Sequence, residues 1–515
     1  MMQNENTISS SGELESRPDD SPANGASVKW SLISLEGLTL IAIVSLILWS
    51  VYPLTEEWGM FSAFDAYGIR YFGTWITSFP ARPLHPTGYY LQWLLGNGEV
   101  VGVAMATACL AVARYFVARW AVSPLCGGYS RWVISTIAGA LPLWPGAWYG
   151  RFAAAQVTAV LFLAILGFAI RQLRSRSVFL AFSSAVTVCV LLCIYQALAL
   201  VLIFLPIASF FWIPSNSLEK RSANFKLLHA QRIGLPIFAG FALYSAYVLI
   251  AYLLAGHLGS EGMALSLAPD LLSVQGITAA IEACLKTAWR YNIFTFPVLL
   301  LFAFLLFSGS ILNHREIAPS LIALSITAVA IFLLPLSAVV FLGSKLNDID
   351  RVLFPVSIGY LLVVLTLMSS LRSRRPADLD RFHASAVVSA IVIISSLFAV
   401  EAHRYKEIEQ SVLRQALAVV ELSNKHNVLI KDHTGFLGDV YTFLNPILEG
   451  AMQHSGENVS ATICTPANVD RLHSVARRFP VPTTERCQDI GGPGGETLIL
   501  SARLDKNGEI ILVDK

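Results

Sequence analysis

The sequence predicts a polytopic α-helical membrane protein with a small α/β domain at its C-terminal end. Apolar segments of about twenty residues recur along the chain, each long enough for a helix to cross about 30 Å of hydrocarbon. The composition agrees, with 55% hydrophobic and 14% charged residues among 515. Inside hydrocarbon every backbone amide needs a partner within the chain. Segments of this length meet that need as helices, whereas barrel strands are about half as long and alternate in polarity. A change of character after residue 400 predicts the appended domain.

The spans fall near residues 31–53, 91–113, 132–149, 152–170, 178–194, 197–213, 234–255, 292–312, 320–343, 353–371 and 382–400, about eleven in all. The stretch 178–213 is too long for one helix, and the break is placed at Tyr195 and Gln196. The first 29 residues are polar and rich in Ser, Asn, Asp and Glu, which reads as a disordered cytoplasmic tail. No small-residue cleavage site follows the first span, so it reads as a retained anchor.

Basic residues favour the cytoplasmic side of short loops, and their distribution orients the chain. With the N-terminus inside, the inner loops collect fifteen, including Arg114, Arg119, Arg131, Arg171, Arg174, Arg176 and Arg374. The outer loops hold seven: Arg70, Arg82, Arg151, Lys286, Arg290, Lys345 and Arg351. That asymmetry predicts an N-in, C-out topology, and it needs the break at Tyr195, because one fused helix there would invert every later loop. The net charge of +2 carries no such information.

From residue 401 onward a helical stripe (Tyr405, Ile408, Val412, Ala416, Val419) precedes short apolar runs at 427–430, 459–464, 497–500 and 510–513, with helical patterns at 439–452 and 468–477. Such alternation predicts an extracytoplasmic α/β domain over 401–515, large enough to bury its own core. Cys464 and Cys487 both fall in this domain, where an oxidising compartment allows them to pair; sequence alone leaves the pairing open. No CxxC and no Cys/His cluster with zinc spacing occurs, so no structural metal site is expected.

The outer loops of substantial length are 54–90 and 256–290, and the first is the richer in chemistry. It carries Glu56, Glu57, Asp65, Arg70, Arg82 and His85 among many aromatic residues. A carboxylate pair just outside a span suits a general base for a sugar hydroxyl, or a ligand for a divalent cation that neutralises a phosphate leaving group. Equally, acids after a span mark a helix end meeting water. Two prolines stiffen the backbone around Arg82, in Ala81-Arg82-Pro83-Leu84-His85-Pro86. A guanidinium grips phosphate oxygens bidentately, which suits a lipid-phosphate donor; the alternative is an interfacial arginine reaching headgroups. Arg151, in a very short outer turn, and Arg351, beside Asp348 and Asp350, lie on the same predicted side. For Arg351 a local salt bridge is the simpler role. Lys286 and Arg290, on an amphipathic stretch at 278–290, suit headgroups as well.

Glu56, Glu57 and Trp58, the Arg82-Pro83-Leu84 run before the second span, and Tyr195-Gln196 between two later spans together resemble the GtrII-type glucosyltransferases. These sit within the multi-span glycosyltransferases of the GT-C fold, and the likeness covers roughly residues 30–400. It implies sugar transfer from a polyprenyl-phosphate donor to a surface polysaccharide or lipid-linked glycan, on the outer face of a bacterial cytoplasmic membrane. By the same resemblance Glu56 or Glu57 is the essential acid, Arg82 a donor-binding or loop-positioning residue, and Tyr195 with Gln196 part of the cavity wall. Asp65, His85, Arg151 and Arg351 complete the candidate substrate-binding set, and a divalent cation is an open question. The family more often has Asp in the acidic pair, where this chain has Glu twice.

Two rival readings share the span pattern. A polysaccharide polymerase usually sets its basic residues in two large outer loops, and the loops here are unequal. A lipid-linked sugar flippase needs charge deep within spans, and only Glu99, beside Gly96 and Gly98, approaches that description in the sequence. There is no Walker A motif and no strand-borne GxGxxG, which argues against an ATP-driven pump or a dinucleotide enzyme. The glycine-rich run at 491–495 reads as a loop, and Asp432-His433-Thr434-Gly435 after a strand suits a site, though a turn is the commoner role.

Overall fold

The computed structural model describes residues 22–53, 56–140, 153–173, 175–209, 212, 223–257, 278, 357–359, 361–362, 364–365, 379, 381–423, 427–434, 437, 445–456, 459–469, 485–488 and 497–514. The described chain is mostly helical. Its helices are α1 (Pro22–Ser50), α2 (Glu56–Tyr67), α3 (Tyr71–Ser78), α4 (Thr87–Leu95), α5 (Val101–Val122), α6 (Gly128–Ala140), α7 (Ala153–Gln172), α8 (Val178–Ile194), α9 (Ala199–Ser209), α10 (Ala223–Ala255), α11 (Arg381–Ser423) and α12 (Asn445–His454). Five of them, α1, α5, α7, α10 and α11, are long and apolar enough to cross a bilayer. Such helices are compatible with a multi-pass membrane protein. The expected spans at 292–312 and 320–343 lie outside the described residues.

The helix ends gather at two opposite sides. At one, Leu32 of α1 lies beside Gly128, the Ser130 hydroxyl accepts from the Leu379 N–H at 3.0 Å just before α11, and Arg119 pairs with Glu36. Arg171, at the end of α7, joins this side by donating to the Trp120 carbonyl at 2.9 Å, with its guanidinium 3.7 Å from the Trp120 ring centre. At the other side the Trp49 carbonyl, near the end of α1, accepts from His403 Nδ1 at 3.0 Å and Lys406 Nζ at 3.2 Å. Helices α1 and α11 therefore run side by side in the same direction. The basic residues Arg119, Arg131 and Arg171 cluster at the first side.

Small residues let the helices approach closely. Gly88 of α4 meets the backbone of Ala153 at the start of α7, where an added Cβ would stand 2.3 Å from the Ala153 carbonyl carbon. Gly102 lies equally close to the Gln92 carbonyl, which holds α4 against the first turn of α5.

Helix α11 has 43 residues, a length of about 65 Å, twice the hydrocarbon thickness. Its apolar part, to Val400, covers the residues expected to span at 382–400, and its charged part packs against the C-terminal domain. There Val412, Ala416 and Val420 share a core with Val428, Ile430, Leu498, Leu500 and Ala502. The sheet contains β1 (Asn427–Asp432), β2 (Ser460–Thr465), β3 (Glu485–Arg486), β4 (Thr497–Leu504) and β5 (Ile510–Asp514) in the order β3-β2-β1-β4-β5. All its pairings are parallel except β4 with β5. In register, Val428 pairs Leu498 and Ile430 pairs Leu500, so one face of the sheet is apolar. Gln415 fastens α11 to β5 with both amide atoms, donating to the Ile510 carbonyl at 3.0 Å and accepting from the Leu512 N–H at 2.7 Å. Cys464 and Cys487 are disulfide-bonded, with Cα atoms 4.8 Å apart.

The fold corrects several boundaries. The second expected span, 91–113, is interrupted by turns at 96–100, and the long helix runs instead over Val101–Val122. Arg114 therefore sits within α5 and not in a loop. It is buried, donating to the Ala138 and Gly139 carbonyls at 3.0 and 3.1 Å and to the Gln156 amide oxygen. Helix α1 starts at Pro22, inside the segment expected to be a disordered tail. The domain boundary at 400/401 falls within one continuous helix.

Candidate functional site

The segment after α1 is folded, with aromatic residues supplying the packing. Along α2 the residues Glu57, Met60, Phe61 and Phe64 recur at helical spacing and are all buried, so Glu57 is carried inward with the apolar face. Gly68 takes φ of 54°, a value that favours glycine, and lets the chain leave α2 for α3. The rings of Phe64, Tyr71, Phe72, Tyr90 and Trp93 then pack with centroids 5.3–6.2 Å apart.

Between α3 and α4 the proline-rich turn at 79–86 closes on itself, with N–H to carbonyl bonds from Arg82 to Phe79, His85 to Arg82 and Thr87 to Leu84, all 3.0–3.1 Å. It also caps α8. That helix ends because Tyr195 is extended (φ −160°, ψ 125°), which leaves last-turn carbonyls in need of donors. The Leu84 N–H bonds the Cys193 carbonyl at 3.1 Å, and His85 Nδ1 donates to the Ile194 carbonyl at 3.1 Å. The break at Tyr195 is thus stabilised by the turn it faces.

Three successive carbonyls of the turn are each pinned by a side chain. Tyr247 donates to Pro80 at 2.9 Å, Tyr244 and Gln196 both donate to Ala81 at 3.0 and 3.2 Å, and Trp75 Nε1 donates to Arg82 at 2.8 Å. Gln196 also donates to the Tyr244 hydroxyl at 2.7 Å. The Arg82 guanidinium lies 5.8 Å from the centre of the Tyr195 ring. Burial lowers its pKa from the ordinary arginine value, opposed by Tyr195, Tyr244 and Tyr89, and a guanidinium so placed remains a cation at physiological pH. His85 is 6% exposed and stacks on Trp75 at 5.2 Å. Burial, reinforced by the Arg82 charge, pushes it down to about 3, so it stays neutral and serves as a capping donor.

The acidic residues form a second group, where α2 meets the charged half of α11 and helix α12. Glu57 is fully buried, and Glu409 of α11 is 3% exposed. Trp58 Nε1 donates to Glu409 Oε1 at 3.2 Å. Burial lifts the Glu409 carboxyl well above the usual carboxylate range; the Glu57 charge adds to the lift and the Trp58 bond opposes it. Asp65, one helical turn beyond Phe61, is partly open to solvent. Its Oδ1 accepts from Trp93 Nε1 at 2.8 Å, and its Oδ2 lies 2.7 Å from His454 Nδ1 of α12.

Of the candidates read from the sequence, Arg82, His85, Tyr195 and Gln196 come together at the turn. Glu57 and Asp65 stand in the second group. Glu56 begins α2, and its side chain, like Arg151 and Arg351, lies outside what is described. Sequence reasoning passed over Tyr244, Tyr247, Glu409 and His454. Glu409 carried a signal, an acid on the apolar stripe that includes Val412 and Ala416. Among the described residues no group of three or more His, Cys, Asp or Glu is placed to hold a metal ion. No protein-family model matches this chain, and no curated protein matches it.

Proposed function

We propose that the chain is a GT-C-like glycosyltransferase of about eleven spans. It moves a hexose, glucose being the first choice, from a polyprenyl-phosphate donor to a surface polysaccharide or lipid-linked glycan, on the outer face of a bacterial cytoplasmic membrane. The observation that carries this reading is Arg82, a cation beside the Tyr195 ring on a turn whose carbonyls at Pro80, Ala81 and Arg82 all accept side-chain hydrogen bonds. A guanidinium fixed beforehand suits the charge that develops on a departing lipid phosphate, since its orientation costs nothing at the moment of reaction. The acidic residues of α2 supply acceptor-side chemistry within the same folded segment.

The test is the structure of the surface polysaccharide, by sugar analysis and NMR, in cells with and without the chain. Loss of one side-branch sugar from chains of normal length supports transfer, whereas loss of chain length favours a polymerase. In cells that show the branch, Arg82→Lys is expected to lower transfer about 100-fold with the protein still present in the membrane. Arg114 favours a second reading, lipid-linked sugar transport, because it is a buried cation within an apolar helix. Its donors are bound to carbonyls of α6 and to Gln156 of α7, however, a fixed arrangement that suits helix packing.

A further inference from the structure

The last residue of α12, His454, meets Asp65 across the junction of α2 with the C-terminal domain. The two helices cross closely: a Cβ added to Gly450 would stand 3.2 Å from the Gly59 nitrogen. Ser62 also donates to Gln453 Oε1 at 3.5 Å. The imidazole lies beside Trp58 and Phe61, with ring centres 5.7 and 5.6 Å away. Both oxygens of Asp65 are engaged, one by Trp93 Nε1 at 2.8 Å and the other by His454 Nδ1 at 2.7 Å. An ionised carboxylate only accepts, so Nδ1 carries the proton and the lone pair lies on Nε2. Among the described residues Nε2 has no hydrogen-bond partner, and the two side chains are 13% and 40% exposed. The arrangement is that of a histidine oriented by a carboxylate for proton transfer. Glu57, by contrast, is buried beside Glu409.

We propose that His454 is the general base of the sugar transfer, with Asp65 as its positioning residue, an inference that rests on the reading above. The acceptor hydroxyl oxygen bonds to the anomeric carbon of the donor, and its proton passes to His454 Nε2. The bond from that carbon to the phosphate oxygen breaks, and its electron pair leaves with the polyprenyl phosphate, whose charge Arg82 offsets. The C-terminal domain thereby contributes a reacting group to a site otherwise built from the first outer loop. Other ionisable groups on the elements packed around His454 include Glu56, Glu57 and Tyr67 on α2, Lys406, Glu407, Glu409 and Arg414 on α11, and Glu449 on α12 itself.

The experiment uses membranes carrying the full chain, radiolabelled polyprenyl-phosphate glucose, and polysaccharide purified from cells lacking the chain as acceptor. His454→Ala is expected to lower kcat about 100-fold or more with little change in KM, to abolish the fall in rate on the acid side of the pH profile, and to regain activity when imidazole is added. Asp65→Asn is expected to lower kcat while keeping the acid-side fall. Activity of His454→Ala within about threefold of the native chain overturns the proposal, as does a loss that imidazole does not restore. A native chain that transfers no sugar overturns the transferase reading itself, a separate outcome, because there the variants are never the cause.

Discussion

The turn at 79–86 and the junction of α2 with the C-terminal domain both involve the folded segment after α1, yet they are stabilised in opposite ways. In the turn the polar groups are neutral except for Arg82, and carbonyls accept from Tyr247, Tyr244, Gln196 and Trp75. At the junction the polar groups are acids: Glu57 and Glu409 are buried together, and Asp65 is held between Trp93 and His454. A neutral network loses little when pH changes and much when its backbone is displaced. A buried acid pair behaves the other way, because its stability depends on protonation. The difference separates a rigid frame around Arg82 from a titratable contact between α2 and α11.

The largest effect is expected from displacing the frame. Gly88→Val places a branched side chain where even a Cβ would stand 2.3–2.7 Å from the backbone of Ala153 and Ala154. Backbone cannot rotate away as a side chain can, so α4 must separate from α7 and carry the turn with it. A loss of about 3 kcal/mol or more is expected, seen as a large fall in melting temperature in detergent at every pH. A melting temperature within a degree or two of the native chain would break the picture of a close-packed frame.

Next comes the junction, where the sign depends on pH. The Glu409 carboxyl is raised above its usual range, by burial first and by Glu57 second. The folded state therefore binds the proton more tightly than the unfolded state. That contribution is fully present below the unfolded carboxylate value of about 4.3 and is lost as pH rises through the folded value. Tyr52 and Arg414 are the other ionisable groups coupled to this site. Glu409→Gln copies the protonated form, so it is expected to raise the melting temperature at pH 8 by about 3 °C and to leave it unchanged near pH 4. Equal effects at both pH values would remove protonation from the account of this contact.

How much of this was legible differs between the two regions for a physical reason. Pro83 and Pro86 announced a stiff turn around Arg82, and Tyr195-Gln196 announced the helix break, because both signals are local to the chain. What lay hidden was that the break and the turn cap one another, through bonds spanning about a hundred residues, as from His85 to Ile194. The junction was less legible still. Glu409 meets Trp58 across 351 positions and His454 meets Asp65 across 389, and no pattern near either residue encodes its partner. Arg114 was misplaced because hydropathy alone treats a charge as a span boundary. Facing carbonyls of α6 and Gln156 let this one sit inside a helix.

The smallest effect sharpens the claim that the frame works by redundancy. Tyr244→Phe removes one donor to the Ala81 carbonyl and one acceptor for Gln196, yet Gln196 keeps its own bond to that carbonyl at 3.2 Å. With the carbonyl still satisfied, the cost is expected to be about 1 kcal/mol, the net worth of a single hydrogen bond. Adding Gln196→Ala strips the remaining side-chain donor and leaves the Ala81 carbonyl to find another partner. The double variant is therefore expected to lose more than the sum of the two single losses, by about 1 kcal/mol in a double-mutant cycle. Simple additivity would mean that the two donors act independently, and the turn would then hold Arg82 through its own backbone bonds and prolines alone.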